Sequence, residues 1–326
     1  MPISPGAAAP QNSDSVQFLW LELTNLCNLQ CVHCYAESSP FRAGDDLLGA
    51  EDYRDVLSTA AQLGCRQVQF IGGEPTVNRH LPDFIAHARS LDYQFVEVFT
   101  NLTRLSQPLL DCFVEHDVNI ATSVYSHRAE IHDEITRKPG SHRQTMRGID
   151  AVLAAQLRLR AGVITMPLNQ GHVEETVEFL LGKGVPEVGR DHVREFGRGS
   201  EEAGEESLAN LCGNCAGSTL CVAPSGKVSS CIMSKAWSVG SIRETPLAEV
   251  VESDRLRNLR RRIYDHTVAP REAARVAPHA DCEPSCSPSC YPSCVPACAP
   301  SCVPSCQPSC APSCFPSCVP ACQPSR

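Results

Sequence analysis

The sequence predicts an α/β protein: a partial (β/α)6 barrel, then a small cysteine-rich module, then a low-complexity tail. Three observations predict it. Between residues 16 and 196, short apolar runs alternate with amphipathic stretches six times. Residues 212–281 change in composition and carry cysteines at short spacing. From Cys282 to Cys322 a cysteine recurs at every fourth position, eleven in all. Residues 1–15 read as a disordered lead-in, and 197–211, rich in Gly, Glu and Ser, as a linker.

The elements follow in order. Residues 16–24 read as a first strand. Residues 51–64 read as a helix, because Tyr53, Val56, Leu57, Ala60 and Ala61 share one face at i, i+3, i+4 spacing. Residues 67–71 form a strand ending in Gly72-Gly73, and 80–91 a helix. Strands over 95–100, 118–124, 159–165 and 185–196 alternate with helices over 107–116, 142–156 and 172–183. Such repeats imply parallel pairing with right-handed crossovers. In barrels of this kind the chemistry sits at the C-terminal ends of the strands. Cys27, the Gly72-Gly73-Glu74-Pro75 run and Thr100-Asn101 all fall there. Beyond the linker, Ser225-Gly226 marks a hairpin turn between 220–223 and 227–231, and a charged helix is expected over 247–263.

Composition narrows the function classes. The chain has 326 residues, 42% of them hydrophobic, and a formal net charge of −9 without a basic stripe. That argues against a nucleic-acid partner. No apolar run approaches the length of a membrane span. The Pro- and Ala-rich start lacks a basic-then-apolar export pattern, so a cytoplasmic protein is expected. The 20 cysteines then read as metal-binding or redox groups rather than disulfides.

Cys27, Cys31 and Cys34 form a C-x3-C-x2-C run. A four-iron cluster ordinarily takes four cysteines. Three thiolates on one short loop hold three irons and leave the fourth with an open coordination position. A zinc site would need a further ligand, and His33, beside Cys34, is poorly placed to close a tetrahedron. Cys65 and Cys112 lie beside apolar helix faces and read as small buried hydrophobes.

With His33 at the ring position and Tyr35 following, this run resembles the radical S-adenosylmethionine (SAM) superfamily over roughly residues 16–260. Gly72-Gly73-Glu74-Pro75 is the second motif of the resemblance. It implies that the amino and carboxylate groups of SAM bind the open iron of a [4Fe-4S] cluster. It also implies that the GGEP segment supports the methionine amino group through its backbone and Glu74; two glycines let a backbone come close to a ligand. Thr100-Asn101 resembles a Thr-Asn-Gly run, with Leu102 in place of glycine. Ser123 resembles a residue near the SAM ribose. Asp133 and Arg137 resemble a loop beside the site, and a solvated charge run is the other reading of them. Asn169, after the fifth strand, is open in the same way.

Cys212-Gly-Asn-Cys215, followed by Gly226 and Cys231, resembles the SPASM or twitch extension that binds auxiliary iron–sulfur clusters; Gly240-Ser-Ile-Arg resembles that module too. A zinc knuckle is the alternative. The hairpin would bring Cys215 and Cys231 together. Cys221 is open between a ligand, a buried thiol and a hydrogen-atom donor to a substrate radical. In the tail, repeated proline forbids a regular helix. Cys282, Cys286 and Cys290 are candidates for the remaining auxiliary ligands. The surplus cysteines read as further metal sites, an electron relay or a low-complexity expansion.

The resemblance implies an oxidoreductase-type enzyme that cleaves SAM reductively to a 5′-deoxyadenosyl radical, which abstracts a substrate hydrogen. An electron donor such as a flavodoxin or ferredoxin is implied. A ribosomally made peptide is the first choice of substrate, to be cross-linked, oxidised or epimerised. The short stretch before the first strand then points to a separate peptide-recognition protein. The alternatives are a sugar or aminocyclitol dehydrogenase or epimerase of antibiotic biosynthesis, and a non-enzymatic iron–sulfur or metal-binding protein.

Overall fold

Six parallel strands run in chain order in the computed structural model, which describes residues 15–42, 44–200 and 207–276. They are β1 (Phe18–Glu22), β2 (Gln67–Ile71), β3 (Phe95–Phe99), β4 (Asn119–Ser123), β5 (Leu159–Thr165) and β6 (Glu187–His192). Three more strands follow: β7 (Thr219–Val222), β8 (Lys227–Ser229) and β9 (Gly240–Ser241). The sheet has nine strands in the order β6-β5-β4-β3-β2-β1-β7-β8-β9 and is open, with β6 and β9 at its edges. The chain divides into two units, Met1–Tyr264 and Asp265–Arg326. The sheet belongs to the first. The described part of the second holds most of a π-helix, Tyr264–Val268, and the helix Ala269–Val276. The cysteine repeat from Cys282 lies outside the described residues. No described helix is long and apolar enough to cross a membrane.

The alternation along each strand sets what faces where. Val68 and Phe70 on β2, and Val96 and Val98 on β3, are fully buried beneath the helices. Their neighbours Gln67, Gln69, Phe95 and Glu97 line a cavity inside the barrel. A period of two therefore sends apolar side chains outward to the helices and polar ones inward. Helix α1 (Ala50–Gln62) covers the outside with Tyr53, Val56, Leu57, Ala60 and Ala61, the face expected from sequence. Its Tyr53 hydroxyl donates to the Glu22 carbonyl at 3.0 Å, fastening the helix to the end of β1. Helices α2 (Leu81–Ser90), α3 (Gln107–Glu115), α5 (Ser141–Ala154) and α6 (Val173–Gly182) match the expected crossovers, with α4 (Ala129–Thr136) additional to them.

Three features differ from the sequence reading. The hairpin forms, but it does not stand apart. Strand β7 pairs in parallel with β1, Trp20 opposite Cys221, so the second cysteine region extends the barrel sheet. The stretch 132–137, read as a loop, is the end of α4. This helix is too short for the 3.6-residue pattern to show, and it buries His132, Ile135 and Thr136. The expected helix over 247–263 is two helices, α7 (Leu247–Val251) and α8 (Asp254–Ile263). Ser253 separates them, its hydroxyl accepting the Leu256 N–H at 3.3 Å as an N-cap.

Asp133 has a structural task. Its carboxylate accepts the His142 N–H at 2.8 Å, the Ser141 hydroxyl at 2.9 Å and the Gly140 N–H, capping the start of α5 from the neighbouring helix. Partial burial pushes its pKa up, but these hydrogen bonds outweigh that and hold it below the usual carboxylate value of 3.8. A lowered folded pKa gives stability that is present above the unfolded value and lost as pH falls through the folded one. Asp133→Asn is expected to cost about 1 kcal/mol at pH 7, the carboxylate being partly solvated. In urea unfolding the gap to wild type should close as pH falls below 3.8.

Candidate functional site

Cys27, Cys31 and Cys34 sit on the loop that follows β1 and line one cavity of about 610 Å³. The loop is held by its backbone. Gln30 N–H and Val32 N–H donate to the Thr136 and Ile135 carbonyls at the end of α4, at 3.2 and 2.9 Å. Arg198 straps it from the other side. Its Nε donates to the Cys31 carbonyl at 2.8 Å and its Nη2 to the Ser38 carbonyl at 2.7 Å. Its own N–H donates to the Cys34 carbonyl at 3.1 Å. Lys138 Nζ adds a bond to the Asn28 carbonyl at 3.0 Å. The Tyr125 hydroxyl hydrogen-bonds the Cys31 sulfur, and the His33 ring meets the Tyr125 ring edge-on at 4.8 Å.

Electrostatics around the loop follow from burial. Burial, then the Cys34 thiol, pushes Cys31 up to about 12, against the pull of Tyr125 and Arg198. Burial pushes Cys27 up as well, and the Glu74 carboxylate adds to it. His33 is lowered to about 4 by burial and by Arg198, so the ring is neutral at physiological pH. Among the described residues no three His, Cys, Asp or Glu side chains form a group suited to one metal ion. A cubane instead takes each thiolate at a different corner. Three thiols lining one cavity fit that donor set, where a single zinc ion does not.

The GGEP segment docks directly on the cysteine loop. Gly73 N–H donates to the Thr24 carbonyl at 2.7 Å and Glu74 N–H to the Leu26 carbonyl at 2.9 Å. A Cβ at Gly73 would lie 2.2 Å from the Leu26 carbonyl oxygen. Gly72 has φ +135°, and its Cβ would lie 2.6 Å from the Thr24 oxygen. The glycines thus permit backbone-on-backbone packing, a tighter demand than the approach of a ligand. Both still line the cavity, as does Glu74.

Glu74 is buried and fixed by four donors. Its Oε1 accepts the Thr100 hydroxyl at 2.6 Å, the Thr76 hydroxyl at 2.7 Å and the Thr76 N–H at 3.1 Å. Its Oε2 accepts the Asn101 N–H at 2.8 Å. Burial raises its pKa, with these bonds opposing. Thr100 and Pro75 lie outside the cavity lining; Thr100 orients Glu74, and Pro75 opens a short 3-10 turn. Asn101 reaches the lining, with its Nδ2 2.8 Å from Asn28 Oδ1 and 3.8 Å from Cys27 Sγ. Leu102 keeps φ +57°, the left-handed value a glycine adopts freely, and is buried. Ser123 lines the cavity. Asp133, Arg137 and Asn169 do not. The Asn169 side chain bonds the Tyr125 and Ile164 carbonyls and the Met166 N–H, pinning the turn after β5.

Arg198, Tyr125 and Lys138 were not singled out by sequence reasoning. Tyr125 and Arg198 each lie soon after a barrel strand, and the rule that flagged Cys27 applies to them equally. The inward polar set was missed too. Arg160 binds Glu97 through two bonds of 2.7 Å, and Gln69 Nε2 donates to the same carboxylate.

The second cysteine region closes one side of the same cavity, through Asn214, Gly217, Ser218, Thr219, Ile232 and Met233. The Cys215 and Cys231 thiols share a hydrogen bond, which draws Cys231 down and pushes Cys215 up. Cys212 is close enough to feel the Cys231 charge. The hairpin therefore joins residues 16 positions apart in sequence, as expected. Cys221 is fully buried on β7 and is not part of the cavity lining. Cys65 is fully buried as well, and Cys112 is half-buried. Cys282, Cys286 and Cys290 lie outside the described residues.

Known proteins resemble the chain over both cysteine regions. Residues 21–180 match the model of the radical SAM superfamily, and 212–291 that of SPASM, an iron–sulfur cluster-binding domain. GTP 3',8-cyclase of Mesorhizobium japonicum is 27% identical over 179 residues, 52% of this chain and 53% of the relative. The antilisterial bacteriocin subtilosin biosynthesis protein AlbA of Bacillus subtilis is 25% identical over 182 residues, 55% of this chain and 40% of the relative. The chain spans about half the length of the curated relatives it matches, or less. Streptococcus suis SuiB bound to S-adenosylmethionine shares the fold, with a TM-score of 0.62 at 13% identity over 75% of this chain and 67% of SuiB.

Gly73→Ala should be among the most damaging small substitutions in the barrel. The clash with Leu26 is with backbone and has no flexible end to give way. A loss of about 3 kcal/mol in urea unfolding of the metal-free protein is expected, together with reduced iron loading by colorimetric assay.

Proposed function

We propose, from the premise that this chain belongs to the radical SAM superfamily and carries a SPASM extension, that it modifies a ribosomally made peptide by abstracting hydrogen. As a member it binds a [4Fe-4S] cluster and SAM, and its extension binds auxiliary iron–sulfur. Cys27, Cys31 and Cys34 would hold the first cluster, and Cys212, Cys215 and Cys231 would bind auxiliary iron. Gly72, Gly73, Glu74, Asn101 and Ser123 would receive SAM. When bound, the cluster and SAM supply a one-electron cleavage that yields methionine and a 5′-deoxyadenosyl radical, which takes a hydrogen atom from a substrate C–H bond.

The chain's own residues prepare the site. Four hydrogen bonds fix the Glu74 carboxylate, so an ammonium group meets an acceptor that need not reorganise. Arg198 and the end of α4 hold the thiols' backbone without occupying the sulfurs. Leu29, Ile71, Phe99 and Trp20 give the cavity an apolar share that excludes water.

One observation carries the choice of a peptide: β6 is both an edge of the sheet and a wall of the cavity, through Glu187, Gly189 and Asp191. An edge strand offers unpaired backbone groups to an extended peptide. The name of the Bacillus subtilis relative, a bacteriocin biosynthesis protein, supports the same reading. A nucleoside triphosphate suits the cavity less well. Its three lining arginines face carboxylates: Arg160 faces Glu97, Arg190 Glu174 and Arg194 Asp191. A flavodoxin- or ferredoxin-type protein is the proposed electron donor, with a separate recognition protein to present the peptide.

The test is anaerobic reconstitution with iron and sulfide, reduction, and addition of SAM with short peptides encoded beside the gene. Release of 5′-deoxyadenosine with a matching mass change or solvent-deuterium uptake in a peptide is expected. Deoxyadenosine without any peptide change would count against the peptide. Cys31→Ala should abolish SAM cleavage and lower iron loading.

Glu74→Gln should separate binding from folding. An acid with a raised folded pKa contributes stability below its unfolded value and loses it as pH rises through the folded one. Wild type should therefore lose ground to Glu74→Gln in urea unfolding as pH rises above 4.5. SAM binding, followed by equilibrium dialysis of the reconstituted protein, should weaken about tenfold or more, as for a lost charged hydrogen bond.

A further inference from the structure

A single carboxylate joins the two cysteine sites. Glu22, at the end of β1, is 1% exposed. Its Oε1 accepts the Tyr35 hydroxyl at 3.1 Å and the Lys235 ammonium at 2.7 Å. Its Oε2 is buried without a partner. Tyr35 follows Cys34 directly. Lys235 follows Cys231 by four residues, through a turn that Ser234 pins: its hydroxyl accepts the Cys231 N–H at 2.9 Å and donates to the Cys231 carbonyl at 3.1 Å. Lys235 Nζ also lies 5.1 Å from the centre of the Tyr35 ring. The path from Cys34 to Cys231 therefore runs through Tyr35, Glu22 and Lys235.

These residues stand in a wall. Tyr35, Ile232 and Met233 line the main cavity and also a second cavity of about 700 Å³, which Lys235 lines too. Cys221, opposite Trp20 in the sheet, is near enough to the pair for both charges to act on its thiol. A buried ion pair is a poor source of stability, because desolvation offsets much of the attraction and apolar residues of like volume often do as well. The Glu22 carboxylate, 1% exposed, is screened little by water, whereas the Lys235 side chain, 31% exposed at the second cavity, acts more weakly. Both facts point to a field rather than a brace.

We propose that the Glu22–Lys235 pair, steadied by Tyr35, sets the reduction potentials of the iron centres on either side: the ammonium raises them and the carboxylate lowers them. Lys235 is then a positioning residue for charge, not a catalytic one. Burial pushes its ammonium towards neutrality, but the Glu22 carboxylate outweighs this and keeps it charged. The inference rests on the proposed reading that Cys27, Cys31, Cys34 and Cys212, Cys215, Cys231 carry iron.

The experiment is a redox titration of the reconstituted full chain, followed by electron paramagnetic resonance, for wild type, Lys235→Met, Glu22→Gln and the double variant. Lys235→Met should lower the potentials by leaving a lone carboxylate, and Glu22→Gln should raise them by leaving a lone ammonium. The double variant should return close to wild type. Iron content is measured alongside, since a merely structural role would lower loading without opposite shifts. Unmoved potentials, or singles that shift in the same direction, would overturn the inference. If either single variant fails to load iron, Tyr35→Phe decides. It keeps the ring but removes a donor from Glu22, so the potentials should fall; no change there overturns the inference as well. A wild type without a second iron–sulfur signal would instead overturn the reading of the auxiliary site beneath it.

Discussion

The site depends on one contact between two stretches of backbone: Gly72-Gly73 lying on Thr24–Leu26. Neither stretch is regular structure, and each leaves peptide groups that need partners once buried. They satisfy each other, through Gly73 to Thr24 and Glu74 to Leu26. Because the cysteines begin one residue beyond Leu26, the position of the thiols relative to Glu74 is set by main-chain geometry. Side-chain rotamers have little part in it. The end of α4, Lys138 and Arg198 then hold the rest of the loop by its carbonyl and amide groups. The sulfurs carry little of that load: Cys27 Sγ accepts the Leu29 N–H at 3.4 Å and Cys31 the Tyr125 hydroxyl.

The barrel around this contact is built outside in. Its dry core lies between strands and helices, where Leu19, Leu21, Val68, Phe70, Val96 and Val98 are almost wholly buried. Its inside is hollow and partly polar, where a closed barrel would be filled by branched side chains. Arg160, Glu97 and Gln69 neutralise and bond one another there, so that part of the hollow is polar with its charges paired. Apolar and polar lining side by side suit a ligand with both characters.

Much of this was legible in the sequence, for identifiable reasons. The five buried positions of α1 repeat at helical spacing over 13 residues, long enough for periodicity to speak. The strands β2 and β5 begin and end where the alternation predicted. Cys27, Cys31, Cys34, Gly72, Gly73 and Glu74 were legible because spacing along the chain and position after a strand agreed. Helix α4 was not, since eight residues with charges at Glu130, Asp133 and Glu134 look like a solvated loop. Arg198 hid in a Gly-rich stretch, where composition suggests a linker and only tertiary contact reveals a strap. The Glu22–Lys235 pair joins residues far apart in the chain, and nothing local to either announces the other.

The seam between β1 and β7 has an architectural consequence. Four registered residue pairs, from Phe18–Thr219 to Leu21–Val222, attach the hairpin to the strand that leads into the cysteine loop. The hairpin is thus less an appendage than the barrel's seventh parallel stave. Cutting the chain before Thr219 would strip β1 of a neighbour and bare its backbone, a sticky edge of the kind folded proteins take care to cover. Swapping such modules between relatives therefore means resetting a sheet, and a graft that keeps the cysteines but loses the register would displace the strand that leads into Cys27.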